Sequence, residues 1–331
     1  MNKLNTLISH YNSTFSTYYA GERELYAHTS MALTSLYELG ATDKRLEEFY
    51  PISTSILNRL SATEFEITDE NWKDFKGEFN LESSYTRYFL KKIEEIGFEN
   101  TIRAVFDYLM RGVGAAAFHP LIRLYYAVTR KDETEVAISL GTWLISYLDI
   151  GADTTLSGKG DIKSVLTYFE DYNGGIKVKG INIAKRMETI SADSRFQENV
   201  NNIAYENLSP DILEENLLLL FSQENDFTIL HGITSHHAFE YLSQFSENKE
   251  VSRIYYWKSL VAAYLSNTGF TKFNLSWKFP DISLPDWNEL KKKAAMSDDD
   301  HVIKLVHTLS LKDKKLDYKL RYAASVKLGL I

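Results

Sequence analysis

Apolar residues recur at spacings of three and four along almost the whole chain, the period of helices with one buried face. From Glu22 to Leu39, the residues Leu25, His28, Ala32, Leu36 and Leu39 form one stripe, and Gly40 stops it. Asp43 starts a second helix that meets Pro51. Residues 62–77 are polar and mixed, which predicts a connection with a short helical turn at Asn71–Phe75. Two strong helices follow: Glu82–Ile96, ended by Gly97, and Phe98–Met110, with Ile102, Val105, Phe106 and Leu109 on one side. Glu133–Leu148 reads as another apolar helix, and helical patterns resume over Asn182–Glu206, Pro210–Phe221, Phe227–Phe245 and Val251–Leu265. Residues 151–160 are a Gly/Ser/Thr-rich loop, Asn173-Gly174-Gly175 is a turn, and Lys272–Pro285 is a loop before a helix from Trp287. Ser297 is placed as an N-cap, because Asp298, Asp299 and Asp300 then fill a first turn where carboxylates suit the helix dipole. The last helix runs from about Asp313 to Leu328, just before Gly329. There is no repeat and no strand ladder, so the pattern predicts an all-α fold. It is expected to be a single large multi-helix domain over residues 1–331, with an internal pocket.

Composition narrows the function classes more than the fold. A length of 331 residues with 44% hydrophobic and 25% charged residues supplies an ordinary large core. The 21 Tyr and 18 Phe offer material for an aromatic-lined interior suited to a flat aromatic substrate. A net charge of −8, with no basic run longer than Lys291-Lys292-Lys293, argues against nucleic-acid partners. With no cysteine, disulfides, zinc ribbons, thiolate-held clusters and thiol nucleophiles are excluded. No stretch approaches the ~20 apolar residues of a membrane span, and the first twenty residues lack a continuous apolar run, so a soluble, cytoplasmic protein without a membrane partner is expected. The segment Gly112-Val113-Gly114-Ala115-Ala116-Ala117 resembles a dinucleotide fingerprint. It follows helical rather than strand periodicity, however, so its small residues are read as permitting close helix packing, and no NADPH-binding motif remains.

The candidate chemistry lies in the histidines. Leu230–Ala238 holds three of the eight histidines, at 231, 236 and 237, between apolar flanks, and a buried imidazole needs a hydrogen bond, a carboxylate or a metal. His231 and His237 are six apart, about 120° around a helix, so both reach one site only if the backbone bends. Gly232 and Thr234 would allow that bend, whereas His236 points elsewhere. His119 precedes Pro120, which should begin or kink a helix and so aim the imidazole from an irregular point. His301 and Lys304 are three apart and share a helix face. One reading collects His28, His119, His231, His237 and His301 around a metal, a donor set suited to iron, zinc, copper or nickel. Lys304, buried beside it, would lose its proton readily. The neutral amine could then become a carbamate ligand, act as a general base or bind an anionic intermediate. Arg123 could anchor a carboxylate or phenolate of a substrate, or sit in an internal ion pair. The plainer reading is that isolated histidines on apolar faces are satisfied core residues, and no compact pair such as HExxH is present. His10 and His307 are read as solvated, and Tyr125-Tyr126 and Tyr255-Tyr256-Trp257 as core or pocket wall.

Four segments together resemble the questin oxidase-like family. They are Ala27-His28-Thr29-Ser30-Met31-Ala32-Leu33 with Leu39-Gly40-Ala41; Phe118-His119-Pro120-Leu121-Ile122-Arg123; Leu230-His231-Gly232-Ile233-Thr234 with His237-Ala238; and Asp300-His301-Val302-Ile303-Lys304. Their order and separation match from residue 27 to residue 304. The resemblance implies an α-helical oxygenase whose fungal relatives open rings of anthraquinone-type polyketides, by Baeyer–Villiger-type oxidation or oxygen-dependent cleavage. For some relatives it implies a non-haem iron held by histidines and a carboxylated lysine. By position that points to His28, His119, His231, His237 or His301, and Lys304. Two departures are His236 beside His237, which leaves that register open, and Pro120 where a small residue is expected. The expectation is a mono- or dioxygenase using Fe(II), with zinc or nickel as alternative ions, on a small aromatic substrate and dioxygen. The alternatives are a non-catalytic protein binding a metal or an aromatic ligand, and an oxidase drawing on NADPH.

Overall fold

The computed structural model describes residues 2–19, 25–171, 178–267, 274, 276–312 and 314–331. Sixteen α-helices among them carry most of the chain, in agreement with the all-α expectation. In the first third they are α1 (Lys3–Thr14), α2 (Thr29–Glu38), α3 (Asp43–Thr54), α4 (Glu82–Ile96) and α5 (Phe98–Met110). The middle holds α6 (His119–Thr129), α7 (Glu133–Ile145), α8 (Ile162–Asp171), α9 (Ile183–Ser191), α10 (Ser194–Asn199) and α11 (Pro210–Glu224). The last are α12 (Phe227–Leu242), α13 (Lys249–Leu265), α14 (Trp287–Ala295), α15 (Asp300–Ser310) and α16 (Asp317–Lys327). No helix among the described residues is long and apolar enough to cross a membrane.

The chain packs as two compact units, each assembled from separated segments. The first comprises Met1–Ser61, Leu217–His237 and Ser276–Ile331. Its centre is α2, every residue of which from Thr29 to Leu36 is buried. Around α2 pack α1, α3 and α15, and α14 and α16 lie on α15. The second unit comprises Ala62–Asn216 and Ala238–Leu275. There α7, buried from Glu135 to Ile145, packs against α4, α5 and α6, and α13 packs against α5 and α9. Gly112 leaves room for the Tyr147 ring, since a Cβ there would come within 2.5 Å of it. The Gly112 carbonyl also accepts a hydrogen bond from Trp143 Nε1 at 3.0 Å. The small residues at 112–117 therefore serve close packing.

Side-chain caps set many of the helix starts. Thr42 accepts from the amide of Arg45, Asp132 from Glu135, Asn182 from Lys185 and Asp286 from Glu289, satisfying amides that a helix cannot pair internally. Asp193 caps α10, which is why the pattern over 182–206 divides into two helices. Pro51 lies inside the last turn of α3 and does not end it.

Several expectations are corrected. Of the helix expected over Glu22–Leu39, residues 25–28 are not helical and α2 begins at Thr29. Residues 25–27 instead pair with the N-terminal strand, with Tyr19 N donating to Leu25 O at 2.8 Å and Ala27 N to Thr17 O at 2.7 Å. A strand ladder exists after all. β1 (Phe15–Tyr19) and β2 (Leu57–Arg59) pair antiparallel, with Phe15 opposite Arg59 and Tyr19 opposite Leu57. The N-cap of α15 is Asp299, not Ser297, whose hydroxyl instead accepts from the Asp299 amide. Helix α7 stops at Ile145, and α16 starts at Asp317. Residues 22–24, 173–175, 272, 273, 275 and 313 of the expected elements lie outside the described residues.

Candidate metal centre

Within the first unit, α15 carries the densest polar group. The Asp299 carboxylate accepts hydrogen bonds from the amides of His301 at 2.8 Å and Val302 at 3.4 Å, so the helix begins at Asp300. That start sets Asp300, His301 and Lys304 in the first turn and a half. Lys304 is buried at 2% exposure. His28, the last residue before α2, and His231, in the second turn of α12, are also buried. The His28 and His301 rings meet edge to face with centroids 4.7 Å apart, and those of His231 and His301 lie 5.3 Å apart. Ligand-type atoms of these three histidines lie within 4.8 Å of one another. The Phe227 ring covers the pair from one side, 4.8 Å from His231 and 4.6 Å from His301 by centroid.

The partners of each imidazole decide which nitrogen is available. His231 Nδ1 contacts the Phe227 carbonyl at 2.8 Å. A carbonyl only accepts, so Nδ1 carries the hydrogen and Nε2 the lone pair. His28 Nδ1 lies 2.8 Å from Asp300 Oδ2, and His301 Nδ1 lies 2.7 Å from Asp300 Oδ1. Burial pushes His28 down to about 4 against the opposing Asp300 carboxylate. Burial, with His301 and Lys304 nearby, pushes His231 well below the ordinary histidine range. Both rings are thus neutral, the ligand form. Burial works to raise Asp300, but His28 and His301 outweigh it and hold its carboxyl well below the usual range. Burial also brings Lys304 down to about 8, opposed by Asp300 and Asp299.

Among the sequence candidates, His28, His231, His301 and Lys304 gather in this unit. His237 is not grouped with them among the described residues: α12 is continuous α-helix through Gly232 and Thr234, which sets residues six apart about 120° from each other. Burial pushes His237 down to about 3, with Lys312 and His307 adding to the effect. His307, expected to be solvated, is buried at 2% exposure, with Nε2 2.6 Å from Glu38 and Nδ1 3.3 Å from Ser35 Oγ. His10 is exposed, and its Nδ1 meets the Tyr50 hydroxyl at 2.5 Å. In the second unit, His119 is the first residue of α6 and is buried, with Pro120 next to it as expected. Ala116, Ala117 and Phe118 before it hold φ of 43°, 55° and 69°, a left-handed run that turns the chain sharply into the helix. That turn brings His119 Nδ1 onto the Ala116 carbonyl and leaves the lone pair on Nε2. Arg123 forms a bidentate pair with Glu135, Nε to Oε2 at 2.9 Å and Nη2 to Oε1 at 2.8 Å, with both side chains buried.

Sequence reasoning missed Asp300, read there only as a favourable helix charge. It also missed Tyr19, whose phenol is pushed up by burial and by Asp300. An acidic residue beside a candidate ligand was the available signal for the first. The second sits on a strand too short to announce itself.

The donor set fits a transition metal. His301 Nε2 is closed to solvent and has no hydrogen-bond partner among the described residues, an expensive state for a buried polar atom that a cation would relieve. Neutral imidazoles suit iron, zinc, copper or nickel rather than magnesium or calcium. No curated protein matches the chain. The family model described as questin oxidase-like matches residues 25–309 and so spans all these groups. The chain belongs to the questin oxidase-like family, which implies an oxidoreductase, an oxidase or oxygenase of aromatic polyketides.

Proposed function

We propose that the protein is a non-haem, metal-dependent oxygenase that reacts dioxygen with an aromatic, polycyclic small molecule in a ring-opening step. His28, His231 and His301 would hold the ion through Nε2. Iron is the first choice, because the resemblance points to it and imidazole donors accept it. When bound, such a metal supplies the one-electron chemistry that dioxygen needs to react with a closed-shell aromatic. The chain supplies position and protection. The Phe227 carbonyl holds Nδ1 of His231, which fixes where its Nε2 faces. Burial of His28 and His231 keeps water away and both rings neutral. Lys304, buried and easily neutral, would add carbon dioxide: Nζ bonds to the carbon, a proton leaves to solvent, and an anionic carbamate remains. Arg123, committed to Glu135, serves the fold rather than a substrate.

The observation that carries this reading is the buried, unpartnered Nε2 of His301 among neutral imidazoles. Oxygen uptake by the iron-loaded protein with an anthraquinone under labelled dioxygen tests it. Uptake coupled to substrate loss is expected, and one or two labelled atoms in the product tell a monooxygenase from a dioxygenase. Tight binding of the aromatic without oxygen uptake would instead identify a binding protein.

A further inference from the structure

The structure assigns Asp300 the role of a shared positioning residue: a single carboxylate that fixes the tautomer and direction of both His28 and His301. Each oxygen serves a different ring, Oδ2 at 2.8 Å from His28 Nδ1 and Oδ1 at 2.7 Å from His301 Nδ1. A carboxylate oxygen that close to a bare ring nitrogen would set lone pair against lone pair, so both Nδ1 atoms must carry hydrogen. In the neutral rings each Nε2 then carries the lone pair that a metal would take. The two rings lie nearly perpendicular, 86° between planes. Asp300 is not needed as a cap, because Asp299 already holds the first amides of α15. Both Asp300 oxygens are therefore spent on imidazoles, one from its own helix and one from the residue before α2. This role rests on the metal-site reading for its purpose, but not for its geometry. A carboxylate behind a ligating imidazole also raises its basicity, and losing such a partner typically costs about 10–100-fold in metal affinity.

The test separates the two claims. In metal-free protein labelled with 15N-histidine, two-bond proton–nitrogen correlations at neutral pH report each tautomer directly. His28 and His301 are both expected as Nδ1–H. Finding either as Nε2–H in the wild type overturns the assignment and requires no variant to fold. Asp300→Asn leaves one accepting oxygen and puts a donating NH2 against the other ring, so one of the two imidazoles should switch to Nε2–H. Cobalt(II), followed by its absorption and by chelator competition, should then bind about 10–100-fold more weakly. Unchanged tautomers and unchanged cobalt affinity in Asp300→Asn would overturn the inference. If the wild type bound no cobalt, the metal proposal would fall, while the tautomer measurement would still decide the role of Asp300.

Discussion

His28 Nδ1 lies 2.8 Å from Asp300 Oδ2, which ties the residue before α2 to the first residue of α15. At the other end of the same helix pair, Ser35 and Glu38 hold the His307 ring at 3.3 Å and 2.6 Å. Low numbers on α2 thus meet low numbers on α15, and the two helices run parallel with a polar clasp at each end. The far clasp should be structural and separable from the candidate metal centre. His307→Gln is expected to lower unfolding free energy by about 1–3 kcal/mol, the cost of leaving buried polar groups short of a partner. Metal content should be unchanged. Urea denaturation beside metal analysis of the same sample checks both halves.

Arg123 and Glu135 bind α6 to α7 through two buried hydrogen bonds. Removing one partner strands a buried charge, so Arg123→Ala or Glu135→Ala should each cost about 3–5 kcal/mol. Replacing both by Met should cost clearly less than the two single changes added together. A double-mutant cycle in urea measures this. If Arg123 were a substrate anchor instead, Arg123→Ala would raise KM and leave stability nearly unchanged.

Acid should destabilise the metal-free fold through His237. Its folded value of about 3 lies below the ordinary 6.5, so between those values the unfolded chain binds a proton that the folded chain refuses. Stability is therefore full above pH 6.5 and is lost as pH falls toward 3, at about 1.4 kcal/mol per pH unit for one proton. Unfolding at pH 7.5 and pH 5 should differ less in His237→Asn than in the wild type. An equal pH dependence in both would exclude His237 as the source.

The left-handed run before His119 stores strain. Ala117 at φ 55° pays a steric cost of about 1–2 kcal/mol that glycine avoids. Ala117→Gly should raise stability by roughly 0.5–1 kcal/mol after the larger unfolded-state entropy of glycine is subtracted. Thermal unfolding of the metal-free variant reads this directly, and a loss of stability would contradict it.

Legibility in the sequence followed the range of the forces involved. Helix α4 and its stop at Gly97 were readable, because periodicity and a glycine at φ +82° are local signals. The start of α2 was not, because residues 25–27 exchange hydrogen bonds with β1, and pairing across the chain outweighs helical spacing. The sharing of a face by His301 and Lys304 was legible from their spacing alone. The role of Asp300 was not, since its first ring partner, His28, comes from the opposite end of the chain. His237 was over-read: its adjacency to the His231 motif suggested a common site, but an unbroken helix turns the two apart. His307 looked solvated only because Glu38 and Ser35, which bury it, are remote in sequence.

Metal analysis of protein purified anaerobically, paired with His231→Ala, decides whether these imidazoles hold an ion. Close to one transition-metal ion per chain is expected in the wild type, and almost none in a His231→Ala protein that still folds. A wild type that carries no metal, whether purified with or without air and after incubation with Fe(II), would contradict the account.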